Sequence, residues 1–274
     1  MRDDMCQSDK SFFDIVKKWT INDYKTPKIK AEVIIDMLIS EFLAETVEAS
    51  GLPGNGKSIL VTKEFPIRGY KKRKDFEYIS TEINNSPSVD YLIKKGDVLY
   101  LTELKTDPLS FSEKQLIRML IAKEHGINDL YQHYTEILDS TKHCTKYDFQ
   151  SGQVADNIGS SQWNKCIKSI EILYVELKAN HISSLDHNQQ FKIYKADNKN
   201  NSEEVEYVFD GVLSELKENG RGLRVSSYNS NGIKKNIYIM SLDKIELPNN
   251  TLWNDIKKEI LEECVIDKAE DNQE

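Results

Sequence analysis

The chain has 274 residues, a formal net charge of −8, and 39% hydrophobic against 30% charged residues. The apolar share suffices for a real core, and no apolar run approaches the roughly 18 residues of a membrane span. The acidic balance argues against a non-specific nucleic-acid coat, which needs clustered Lys and Arg, although local patches matter more than the total.

The first residues, MRDDMCQSDK, lack the basic start and apolar stretch of a signal peptide, so the expected compartment is the cytoplasm. Cys6, Cys144, Cys166 and Cys264 are scattered without a CxxC spacing, which predicts free thiols and neither a zinc site nor a disulfide framework. Residues 11–25 carry Phe12, Phe13, Val16 and Trp19 at helical spacing. A stronger helix is expected from Lys28 to about Ala49. A glycine-rich loop leads to a strand, Ile59–Ile67, then to a basic loop, RGYKKRKD, and a short strand near 76–83. Arg68, Lys71, Lys72 and Arg73 of that loop are candidates for gripping a nucleic-acid backbone, with Tyr70 available to stack. The bland alternative is a solvated loop.

Next comes SVDYLIKKGDVLYLTELKTD, Ser88–Asp107, which reads as two strands around a turn. Helices are expected at Glu113–His125, capped by Ser110 or Ser112, and at Asp129–Ser140. Residues 141–162 read as an irregular loop and Ser169–Lys178 as a buried strand. Beyond a polar break at 198–202, Ser202–Glu218 reads as a helix ended by Gly220, Ile233–Ser241 as a strand and Leu252–Val265 as a last helix. An acidic tail, 266–274, closes the chain. His125, His133, His143, His181 and His187 show no metal-ligand spacing and read as surface or capping residues.

The hairpin carries the chemistry. Lys94-Lys95-Gly96-Asp97 is a natural turn. Centred between Lys95 and Gly96, it sets Asp90 opposite Leu101 and puts Asp90, Glu103 and Lys105 on one face; a slip of one residue would send Asp90 to the other face. Two carboxylates and a lysine on a central strand can hold Mg²⁺ (or Mn²⁺) and position a water against a phosphodiester. The bland alternative is an amphipathic hairpin with a surface Glu/Lys pair.

Two other motifs compete. GLPGNGKS, Gly51–Ser58, matches the phosphate-loop pattern GxxxxGK[ST]. It follows a helix and precedes a strand, the reverse of the order that builds a phosphate cradle. A P-loop NTPase is therefore the lesser alternative, and a helix-to-strand turn with Gly at the C-cap fits better. A second acid-x-Lys, Glu176-Leu177-Lys178, lacks an upstream Asp on a paired strand and reads as the end of a later strand.

Asp90, followed by Glu103-Leu104-Lys105-Thr106-Asp107, resembles the PD-(D/E)xK nuclease superfamily over about 28–178. The proline of the name is missing, since Val89 precedes Asp90. The resemblance implies a restriction-endonuclease-like fold: an α/β domain with a mixed central sheet flanked by helices. It also implies Asp90 and Glu103 as metal ligands, with a further glutamate from the first helix. Glu32 matches that glutamate best, with Glu41 and Glu45 as alternates. Gln115 matches the glutamine that some exonuclease-like members carry after the ExK strand. The expectation is a single domain over 1–274 with a C-terminal α/β elaboration at about 180–265. The expected function is Mg²⁺-dependent hydrolysis of DNA, in phage defence, restriction or repair, with no membrane and with room for a homo-oligomer or a protein partner. The principal alternative is a nuclease-fold binding or assembly module without activity.

Overall fold

The structure, a computed structural model, describes residues 29–74, 77–80, 86–106, 111–140, 145–158, 163–179, 182, 187–194, 205–212, 217–218 and 220–258. The expected helix at 11–25, the acidic tail and the break at 198–202 lie outside these. In chain order the elements are α1 (Ile29–Ala49), β1 (Ser58–Pro66), β2 (Tyr70–Lys74), β3 (Glu77–Ser80), β4 (Ser88–Lys95), β5 (Val98–Lys105), α2 (Glu113–Ser140), α3 (Thr145–Ile158), the single turn α4 (Trp163–Cys166), β6 (Ser169–Glu176), β7 (His187–Tyr194), β8 (Val205–Val212), β9 (Lys217–Glu218), β10 (Leu223–Ser230), β11 (Ile233–Ser241) and α5 (Thr251–Ile256).

The architecture is α/β, with one mixed sheet flanked by helices. The strand order is β1-β4-β5-β6-β11-β10-β8-β7-β3-β2, with β9 on β10. β5 lies between antiparallel β4 and parallel β6. Covered on both faces, it reads as a near-continuous buried run. One face packs Leu92, Leu99, Leu101, Ile172 and Ile239 against α2, α3 and α4. The other packs Tyr91, Tyr100, Val175 and Met240 against Leu43 and Val47 of α1 and Trp253 of α5.

The sheet curls. β1 and β2 stand at opposite ends of the strand order, yet only Ile67, Arg68 and Gly69 join them. A link from Pro66 to Tyr70 spans at most about 14 Å. The two edges therefore approach each other around α2, and residues from Val61 to Phe209 enter one core. No helix among the described residues is long and apolar enough to cross a membrane.

Three expectations are corrected. Residues 145–158 are helix, not loop: the buried stripe Gln150, Val154, Ile158 recurs every fourth residue but is too narrow to stand out in a polar segment. Within the helix expected over 202–218, the described residues 205–212 and 217–218 are strands β8 and β9; Val205, Tyr207 and Phe209 alternate, and a period of two wins. The C-terminal part accordingly extends the sheet by β7, β8, β10 and β11, with α5 its described helix. The basic run is strand β2 rather than loop. The two helices expected at 113–140 are present, and the break between them falls at Gly126, whose φ of 79° is glycine territory.

Candidate active site

The β4–β5 turn fixes everything around it. Lys95 pairs with Val98, so the loop is the two residues Gly96-Asp97, with positive φ at Gly96 as a type II′ hairpin requires. The turn centre lies one residue beyond the expected one. The register therefore moves by two, and Asp90 stands across from Glu103 instead of Leu101. A shift of two preserves the face, and Asp90, Glu103 and Lys105 share it.

Gly96 serves a second purpose. A Cβ there would stand 1.9 Å from the Asn55 carbonyl oxygen, and one on Gly54 would stand 2.4 Å from that of Lys95. The GLPGNGKS segment is thus the turn that ends α1 and lies backbone against backbone on the hairpin loop. Lys95 Nζ caps the helix end, donating to the carbonyls of Leu52 (2.9 Å) and Val47 (3.3 Å). Strand β1 follows at Ser58, so the segment opens no helix N-terminus for a phosphate.

The charged side chains converge. Lys105 Nζ donates to Gln115 Oε1 at 2.9 Å and lies 3.3 Å from Glu103 Oε2. Gln115 Nε2 donates to the same Glu103 oxygen at 3.0 Å. The triangle is closed because α2 starts beside the end of β5, anchored by Phe111 packed on Tyr174 with ring centroids 5.7 Å apart. Asp90 Oδ2 accepts from the Leu104 amide at 2.7 Å, and its carboxyl is within hydrogen-bonding reach of that of Glu103. Glu103 and Lys105 are buried, 1% and 4% exposed.

Burial and the Asp90 charge push the Glu103 carboxyl up to about 8, against the opposing pull of Lys105. Burial raises Asp90 as well, countered by the Leu104 amide and Lys105. Two carboxyls that cannot both ionise comfortably mark a site made for a cation or for a shared proton.

A third acid comes from α1, and it is not one that the sequence reading selected. Asp36 accepts from Lys63 Nζ at 3.0 Å and from the Tyr91 hydroxyl, and its charge is felt at Asp90. Glu32 lies one turn earlier in the same helix, but its side chain is outside the described residues. Their spacing of four was the available signal, because it puts both on one helix face. Glu41 lines the same cleft as Asp36, whereas Glu45 faces away and accepts from Asn250 Nδ2 at 3.0 Å. The cleft, about 650 Å³, runs from Asp36 and Lys63 past Asp90 to Gln150 and Gln153 of α3.

Among the described residues no group of three or more His, Cys, Asp or Glu is arranged to hold a metal ion. The pair Asp90–Glu103 nevertheless fits Mg²⁺, which takes one or two carboxylates and completes its octahedron with water and substrate phosphate. The Leu104 amide engages Asp90 Oδ2, and Lys105 and Gln115 engage Glu103 Oε2; an ion would take the place of the contact between the two carboxyls.

Of the remaining candidates, Glu176, Arg68, Tyr70 and His133 make structural contacts. Glu176, of the second acid-x-Lys, is wholly buried; its Oε1 accepts from Arg224 at 2.7 Å and from Ser241 Oγ, and its Oε2 from the Ile182 amide at 2.8 Å. Arg68 pairs with Asp129 of α2 at 3.1 Å, and the Lys71, Lys72 and Arg73 side chains are outside the described residues. Tyr70 does not offer a stacking face: it is 9% exposed and packs edge-on against His125. His133 is buried rather than on the surface, its Nε2 3.0 Å from Ser86 Oγ.

Comparison with known proteins adds nothing to these residues: no family model matches the chain, no curated protein matches it, and neither does any solved structure.

Proposed function

We propose that the protein is a divalent-metal-dependent nuclease of the PD-(D/E)xK kind, hydrolysing phosphodiester bonds in DNA with Mg²⁺ or Mn²⁺. The observation that carries this reading is the contact of Asp90, Glu103, Lys105 and Gln115 at the end of a central strand, in a buried and charge-strained cluster. A restriction-endonuclease-like core fits the order helix, antiparallel strands, helix, parallel strand found from α1 to β6. Phage defence, restriction or repair is the setting that this chemistry suits, in the cytoplasm.

The bound ion would supply Lewis-acid polarisation of the scissile phosphate and a more acidic water. Asp90 and Glu103 would hold it, and their proton would leave as it binds. Lys105, held by Gln115 and Glu103, presents a fixed positive charge where negative charge develops on the phosphate oxygens. Gln115 is a positioning residue that sets the Lys105 ammonium and the Glu103 carboxylate relative to each other. Asp36 adds negative charge on the cleft side of Asp90.

The test is cleavage of linear, circular and single-stranded DNA and of RNA in Mg²⁺ or Mn²⁺, with wild type run beside Glu103→Ala and Lys105→Ala. Metal-dependent cleavage in wild type alone is expected. Equal activity in all three proteins defeats the assignment. A second reading, a binding or assembly module on a nuclease fold, draws on the lack of a three-donor group among the described residues. It predicts DNA or protein binding with no cleavage under any metal.

A further inference from the structure

Strand β1 is distorted where it borders the cleft. Its register shifts between Leu60 and Thr62, and Glu64 has φ 49°, a left-handed conformation that a non-glycine residue keeps only when its surroundings impose it. α3 imposes it: Gln150 Nε2 donates to the carbonyls of Lys63 (2.8 Å) and Glu64 (3.2 Å). With both amide protons spent on backbone, the orientation of that side chain is fixed. Its Oε1 is buried and has no partner among the described residues, although Gln150, 4% exposed, lines the cleft. An unmet buried acceptor is costly and calls for a donor. One turn on, Gln153 Oε1 accepts from Thr62 Oγ1 at 2.9 Å, which leaves its Nε2 to the cleft. Acceptor and donor thus stand side by side on α3. On α1, Met37 is 63% exposed at the cleft edge.

We propose that this cleft seats one unstacked nucleotide beside the scissile phosphate, so that the protein acts on single-stranded or locally opened DNA rather than on continuous duplex. The proposal rests on the nuclease reading above and names its substrate form. A cavity of about 650 Å³ encloses a nucleotide-sized ligand but not a double helix, and a base enters such a site only by leaving its stack. The lining charges favour a base over a second run of phosphates: Asp36, Glu41, Glu64 and Asp90 stand against Lys63. A neutral base suffers no repulsion there. Every base carries a donor next to an acceptor on its pairing edge, so Gln150 Oε1 and Gln153 Nε2 grip a base without choosing among the four. Met37 offers an apolar plane to its face, and Lys63, already 3.0 Å from Asp36, reaches the adjoining phosphate.

Fluorescence anisotropy tests this on the full chain, with Ca²⁺ replacing Mg²⁺ to hold off hydrolysis. The probes are a fluorescein-labelled thymidine oligonucleotide of about 12 nucleotides and a blunt duplex of equal length. The single strand is expected to bind at least about tenfold more tightly. Gln153→Leu and the exposed Met37→Ala should each weaken single-strand binding about fivefold, with thermal melting unchanged in Met37→Ala and lowered in Gln153→Leu only by the lost bond to Thr62. Equal affinity for the two probes, no binding of either, or wild-type affinity in both variants overturns the proposal. The same single strand in Mg²⁺, cut or not by wild type and by Glu103→Ala, reports on the nuclease reading separately. Binding without cleavage keeps the nucleotide seat and removes hydrolysis; cleavage without strand preference keeps hydrolysis and removes the seat.

Discussion

Two acid-Leu-Lys sequences end adjacent parallel strands of the same sheet, with Lys105 in register with Glu176. Their surroundings could hardly differ more. Glu176 meets a guanidinium, a hydroxyl and a backbone amide, each donating to it, so its charge is fully answered. Glu103 meets Asp90 as well as Lys105 and Gln115, and burial beside that like charge pushes it up to about 8. One carboxylate is fully answered as folded. The other is relieved by a proton or a cation. The motif is the same, and the neighbour decides whether its carboxylate is satisfied within the fold. That neighbour is Asp90, contributed by the antiparallel strand on the far side of β5.

Neutralising each acid in turn is the strongest way to break the comparison. Glu103→Gln should lower cleavage below about one thousandth of wild type and leave stability equal or higher, because a neutral amide replaces a carboxyl whose ionisation burial beside Asp90 opposes. Glu176→Gln should do the reverse. Arg224, 6% exposed, would be left without its counter-ion, at a cost of about 3–5 kcal/mol. Turnover per folded molecule would not change. Denaturant midpoints and rates normalised to folded protein separate the two outcomes. Stability lost at Glu103 and activity lost at Glu176 would invert the assignment of roles.

Lys105→Met comes next, with an expected loss of about 10²–10³ in kcat, the usual cost of removing a charge aimed at the transition state. Gln115→Leu is milder. It leaves the ion's ligands in place but frees the Lys105 ammonium and one Glu103 oxygen, which should cost about 10–100-fold and raise the metal concentration for half-maximal rate. A metal titration checks it: an unchanged titration midpoint with normal kcat would reduce Gln115 to packing.

The sequence went a long way toward this site because its parts are local. Hairpin alternation, a two-residue turn and a helix starting after Asp107 suffice to bring Asp90, Glu103, Lys105 and Gln115 to one place. The turn was centred one residue too early, and the error was harmless because β faces repeat every two residues. What stayed hidden depends on distant partners. Asp36 reaches the site only through the packing of α1 on β1 and β4, shown by its bonds to Lys63 and Tyr91. Gln150 and Gln153 belong to a helix whose buried stripe was too thin to read. The burial of Tyr70 requires β2 to return beside α2 across the curled sheet, a contact set by strand order rather than by neighbours in sequence.

The pH dependence of stability is the most diagnostic comparison, because it isolates the Glu103 carboxyl without disturbing the fold. In the folded, metal-free protein Glu103 keeps its proton up to about 8, whereas in the unfolded chain it loses it near the ordinary 4.5. Between those values the folded state binds more protons than the unfolded one. Stability is therefore greatest below the lower value, falls as pH rises between the two, by at most about 1.4 kcal/mol per pH unit, and levels off above the upper one. Glu103→Gln should flatten that part of the profile, and Glu176→Gln should not. Saturating Mg²⁺ should flatten it as well, since an ion on Asp90 and Glu103 displaces the shared proton. Apparent metal affinity in wild type should accordingly rise with pH up to about 8 and level off above it. Denaturant midpoints at a series of pH values, with and without the ion, give both curves from one set of samples. A profile that Mg²⁺ leaves unchanged would mean that the two carboxyls hold a proton and nothing else.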